Sequence, residues 1–127
     1  MNLGTRLNNW LNIEYAPANK WLGMTGVSGK FVIFDTVEHG LRAGIKTLES
    51  YLREGHDTVS KMITRYAPSS ENDTAAYIQR VSQWSQIGPD SLVTVADIPK
   101  IIVAMAREET GNIVNQEQID EAMKEAS

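Results

Sequence analysis

From Asp35 onward, apolar residues return every third or fourth position, and glycine, proline or a polar cluster breaks each run. That pattern commits most of the chain to amphipathic helices that must bury one face against each other. Leu41, Ile45, Leu48 and Leu52 form the first stripe. Asp35 and Glu38 precede it at the spacing of a capping box, and Gly55 ends it. Val59, Met62, Ile63 and Tyr66 give a shorter helix over residues 57–66, stopped by Pro68. Beyond the polar loop 69–72, Tyr77, Val81 and Trp84 mark a third helix closed by Gly88-Pro89. Asp97 caps a fourth, with Pro99 in its first turn, a buried side of Ile98, Ile101, Ile102 and Met105, and Gly111 at its end. A final stretch, residues 115–125, opens with Asn115 and Gln118 in capping positions.

The first third obeys no such period. Asn8, Asn9, Trp10, Asn12, Tyr15, Trp21 and three glycines up to Gly29 read as loops and short strands. Residues 31–34 are the best strand and 12–15 a weaker one. The glycine-rich run 23–29 lacks the Lys-Ser/Thr ending of a phosphate loop and reads as a hairpin turn. The expected fold is α+β, mostly α, with a small N-terminal β element, in a single domain over residues 1–127.

Composition removes several function classes. No cysteine is present, which excludes disulfides, thiolate zinc sites and thiol nucleophiles. A net charge of −4 argues against nucleic acid as a partner. The longest strongly apolar run, residues 101–106, is too short to insert across a membrane. The first ten residues lack the basic start and apolar stretch of a signal peptide, so the expected site of synthesis is a cytoplasm. His39 and His56 lack metal-ligand spacing, and no metal or organic cofactor is expected.

Glu108 and Glu109 carry the most chemical information. Continuing the stripe of Ile101, Ile102 and Met105 by three and four residues lands on both. A carboxylate at a helix C-terminus faces the negative end of the macrodipole, and partial burial acts in the same direction. Both favour an acid still protonated near neutral pH, as glycosidic cleavage requires. The plainer alternative is two glutamates lying in water at a frayed helix end. Glu38 has a sufficient structural role as a cap. Trp10, Tyr15, Trp21, Tyr66 and Tyr77 lie in or beside polar loops, where rings suit the apolar faces of sugars and amides suit their hydroxyls, although rings of this kind also build cores.

These residues carry a resemblance. The run Arg6-Leu7-Asn8-Asn9-Trp10-Leu11-Asn12-Ile13 resembles the R-N-N-N-P-G-N-I opening of small virion-associated lysozyme-like proteins of tailed bacteriophages. The likeness continues through Trp21-Leu22-Gly23, residues 31–43, Tyr66-Ala67-Pro68, Glu71-Asn72-Asp73-Thr74 and Tyr77, to Glu109-Thr110-Gly111. Trp10-Leu11 stands where that family has Pro-Gly, and Glu108 where it often has His. The parts are also similar to those of bacterial glucosaminidases and lytic transglycosylases, with the acid-bearing helix moved from first place to last.

The resemblance implies a circularly permuted lysozyme-like domain that cleaves a β-1,4 bond between amino sugars of peptidoglycan. It assigns Glu109 as the catalytic acid, and Asn9, Asn12, Tyr66, Glu71, Asn72 and Tyr77 to the cleft that holds sugar or water. The implied partners are peptidoglycan glycan strands and other virion proteins. The implied location is the phage virion, or the host cytoplasm after synthesis with action at the cell wall. The rival expectations are a non-catalytic virion structural protein and a glycan-binding module, each retaining the same fold.

Overall fold

In the computed structural model, which describes residues 1–127, the elements run α1 (Leu3–Arg6), β1 (Met24–Ser28), β2 (Phe31–Phe34), α2 (Val37–Arg53), α3 (Val59–Tyr66), α4 (Thr74–Ser85), a single 3₁₀ turn (Val95–Asp97), α5 (Ile98–Thr110) and α6 (Gln116–Ala126). The class is α+β and mostly helical, with the β element near the N-terminus.

Helix starts follow side-chain caps, which accept the backbone N–H groups that a first turn leaves unpaired. Thr58 and Asp73 cap α3 and α4 through Lys61 and Ala76. At α6 the reciprocal box of Asn115 and Gln118 forms as the spacing predicts. The expected box at Asp35 and Glu38 does not form. Thr36, one residue later, takes the N–H of His39 at 3.1 Å, while the Asp35 carboxylate turns to the His39 Nδ1 at 2.6 Å. Asp97 closes the 3₁₀ turn by accepting from the Thr94 N–H. At the other end of α4, Gln86 adopts the left-handed conformation, φ 61°, and stops the helix before Gly88-Pro89 is reached.

β1 and β2 form an antiparallel hairpin in which Ser28 faces Phe31 and Val27 faces Val32, with an irregularity between Met24 and Gly26. Most of the glycine-rich run is therefore strand β1, and only its end, at Gly29, is turn. The weaker strand expected at 12–15 reduces to one bridge, Glu14 to Phe31. Two hydrogen bonds reinforce it, Val32 N–H to Ile13 C=O and Tyr15 N–H to Lys30 C=O. This segment lies along the free edge of β2.

One apolar cluster reaches from Leu11 to Ala126. Its centre is Leu41, Ile45 and Leu48 of α2 against Ile98, Ile101 and Ile102 of α5. α6 packs along α2, and α4 along α5 and α3. The N-terminal loop is pressed into this bundle at Gly40, where a Cβ would stand 2.3 Å from the backbone oxygen of Asn8. Only glycine leaves room there.

Candidate active site

The site begins at the last turn of α5. Gly111, at φ 75°, ends the helix and returns its N–H to the Arg107 carbonyl. Glu108 and Glu109 sit side by side in that turn, about 100° apart around the axis, because a helix turns 3.6 residues per revolution. They meet different neighbours. Glu108 faces α4, where the Arg80 guanidinium grips it through Nε at 2.6 Å and Nη2 at 2.5 Å. On the same flank the Arg107 guanidinium lies 4.0 Å from the centre of the Trp84 ring.

Glu109 faces a cleft. Its Oε1 accepts from the Asn12 Nδ2 at 3.0 Å, and its Oε2 accepts from the Tyr77 hydroxyl at 2.8 Å. The Asn12 amide also reaches the backbone oxygen of Glu109 at 3.3 Å. Asn12 itself is left-handed, φ 54°, a conformation asparagine tolerates better than most residues.

The N-terminal segment seals the end of α5 by taking up helix-end carbonyls that α5 cannot pair itself. Asn2 donates to the Thr110 carbonyl at 2.8 Å, and Asn112 donates to the Thr5 hydroxyl at 2.8 Å. The Thr110 hydroxyl donates to the Trp10 carbonyl at 3.0 Å. α1 approaches so closely that a Cβ on Gly4 would lie 2.4 Å from the Asn12 Oδ1. The residue that touches Glu109 is thus wedged by the first helix of the chain.

Burial raises the Glu109 carboxyl above its ordinary value. The hydrogen bonds from Asn12 and Tyr77 oppose this, since both favour the ionised form, and the negative charges of Glu108 and Glu14 add to the rise. Burial wins. It also pushes the Tyr66 and Tyr77 phenols well above their ordinary value, so both remain neutral donors.

The cleft holds about 720 Å³. Asn12, Glu14 and Trp21 line its β side, Thr47 and Tyr51 come from α2, and Arg65 and Tyr66 from α3. Glu109 contributes to the same surface.

Of the residues expected here from sequence, Glu109 and Asn12 are in direct contact and face the cleft. Tyr66 lines it with its ring, while its hydroxyl donates to the Leu11 carbonyl. Glu71 and Asn72 are exposed at its rim, with the Asn72 amide turned to the Pro68 carbonyl. Two expectations are corrected. Asn9 is fully buried, and its side chain is committed to Ile13 and Val32, so it joins the loop to β2 rather than lining the cleft. Tyr77 is only 4% exposed and stands behind Glu109 rather than on the cleft wall. Glu14, Lys30, Tyr51 and Arg65 were not anticipated. The signal for Glu14 was its place in the candidate strand 12–15, beside Asn12 and Ile13, which line the same cleft.

No model of a known protein family matches the chain. It is similar to Protein P5 of Pseudoalteromonas phage PM2, with 33% identity over 114 residues that make up 86% of this chain and 71% of that protein. Identity at that level over most of both sequences shows common descent, and the chain belongs to the family of this phage protein.

Proposed function

We propose that the protein is a bacteriophage glycosidase that cleaves peptidoglycan, with Glu109 as the general acid. The carrying observation is the setting of Glu109: a desolvated carboxyl with raised proton affinity, at an open cleft, held by two neutral donors. An acid that keeps its proton towards neutral pH can hand it to the oxygen of a β-1,4 bond as that bond to the amino sugar breaks. Asn12 and Tyr77 fix the orientation of the carboxyl. Once the proton has left, the same two hydrogen bonds stabilise the carboxylate.

The domain is read as lysozyme-like in permuted order. The contacts of Asn2, Thr5 and Trp10 with Thr110 and Asn112 support this, because they put the first residues of the chain directly against the end of the acid-bearing helix. The ring of Tyr66 and the polar rim at Glu71 and Asn72 suit a glycan strand. Membership in a phage protein family supports a phage-associated protein, and the proposal places its action at the host cell wall, from the virion or after synthesis in the host.

The test is release of muropeptides from purified sacculi by wild type and Glu109→Gln, with circular dichroism to confirm equal folding. Glu109→Gln is expected to lower release by about 10²–10⁴-fold. Equal release by both proteins removes Glu109 from the reaction. No release by wild type, where a known muramidase works, favours a virion structural or glycan-binding role, and co-sedimentation with sacculi distinguishes those two.

A further inference from the structure

Resting on the glycosidase reading, we infer that Glu14 is the second catalytic carboxylate, the base that activates water on the opposite side of the scissile sugar. Asn12, Ile13 and Glu14 all line the cleft, Ile13 with only 7% of its surface exposed. Residues 13–15 are extended, bound to β2 through the Glu14–Phe31 bridge and the two flanking hydrogen bonds. This pairing to β2 holds Glu14 two residues along the chain from Asn12, the residue that touches Glu109. No hydrogen bond joins Glu14 to Glu109, and the Glu14 side chain is 58% exposed. The two residues line the same cleft without a hydrogen bond between them.

Inverting glycosidases use two carboxyl groups about 6.5–9.5 Å apart so that a water fits between base and sugar, and two carboxylates that share one cleft without touching suit that arrangement. Lys30, 3.8 Å from the Glu14 carboxylate, steadies it from the hairpin side and is itself 62% exposed. Glu71 is the other carboxylate on the cleft, but it lies on the exposed loop between α3 and α4, without a strand to fix it. A base must be held by a rigid element to aim a water at one carbon. The negative charge of Glu14 also contributes to the raised proton affinity of Glu109, as expected of two groups that share a site.

The step balances. The Glu109 proton passes to the leaving oxygen as the bond from C1 to that oxygen breaks. A water oxygen bonds to C1, and its proton passes to Glu14. Glu109 is then ionised and Glu14 protonated, and exchange with solvent restores both. The product is a reducing sugar of inverted configuration, not an internal anhydro sugar.

The experiment compares wild type, Glu14→Gln, Glu14→Ala and, as a control away from the cleft, Glu38→Gln on purified sacculi. Products are identified by mass spectrometry, and the anomer formed is read by NMR on soluble glycan fragments. The expected result is an inverted reducing end from wild type and a loss of about 10²–10⁴-fold in Glu14→Gln. Sodium azide should restore turnover in Glu14→Ala by forming a glycosyl azide, while Glu38→Gln behaves as wild type. An active wild type that yields anhydro or retained products overturns the assignment. So does a Glu14→Gln protein with near-normal release, or a loss that azide does not rescue. A wild type without any release overturns the glycosidase reading itself, a result readily told apart from the others.

Discussion

Glu108 and Glu109 are the same side chain on successive residues, and the difference between them lies entirely in what each meets. A bidentate arginine holds Glu108 on the α4 flank. Glu109 is desolvated, and burial favours its proton over the opposing hydrogen bonds from Asn12 and Tyr77. Tyr77→Phe removes one of the bonds that favour the ionised form. The Glu109 carboxyl should then rise further, moving the alkaline limb of the pH–rate profile for glycan cleavage to higher pH. A limb that stays in place, or moves down, would show that the Tyr77 hydroxyl does not act on the acid. Because the Tyr77 phenol is itself held far above its ordinary value, its own ionisation does not confuse the profile.

At the scale of elements, helix starts decide where functional side chains point. α2 is capped by Thr36 rather than by Asp35, which leaves Glu38 in the first turn without a capping bond. Thr36→Ala should therefore cost about 0.5–2 kcal/mol of stability, while Glu38→Gln should stay within about 0.5 kcal/mol of wild type. Urea unfolding of the two variants checks the pair. The reverse order would restore the box at Asp35 and Glu38. The end of α5 illustrates the complementary case. Its last carbonyls accept from the Asn2 and Asn12 amides, and Thr110 and Asn112 donate to the Trp10 carbonyl and the Thr5 hydroxyl, so the N-terminal segment closes over the helix end that carries Glu109.

For the whole molecule, the desolvated acid has a cost. The folded carboxyl of Glu109 titrates above its ordinary 4.5, so between that value and the raised one the folded state keeps a proton that the unfolded chain has lost. Stability accordingly falls as pH rises through that window and stays at the lower level above it. Glu109→Gln removes the term. The variant should melt at a higher temperature than wild type at pH 7, with the gap closing towards pH 4. A variant less stable than wild type at pH 7 would mean that its lost hydrogen bonds outweigh the relief of the buried charge. Read together with the loss of cleavage, a gain in stability would mark Glu109 as a group retained at the expense of the fold.

The amino-acid sequence by itself determined the helices, because their stripes are local: Leu41, Ile45 and Leu48, or Ile98, Ile101 and Ile102, are buried as their spacing requires. It also placed Glu109 at a helix end in line with a buried face, whereas the resemblance put Asn9, Asn12 and Tyr77 in the cleft without choosing between the asparagines. It could not separate buried from exposed asparagine in an irregular segment, where no period applies. Asn9 is consumed by Ile13 and Val32, whereas Asn12 meets the acid. Tyr77 carries the same ambiguity, since a ring at helical spacing fits core and cleft alike, and only packing turned its hydroxyl to Glu109 from behind. Tertiary structure alone distinguished Glu108 from Glu109, because Arg80 lies 28 residues away and Asn12 lies 97. Contacts across such separations depend on which helix faces pack together, and burial, which sets the proton affinity of the acid, exists only after they have packed.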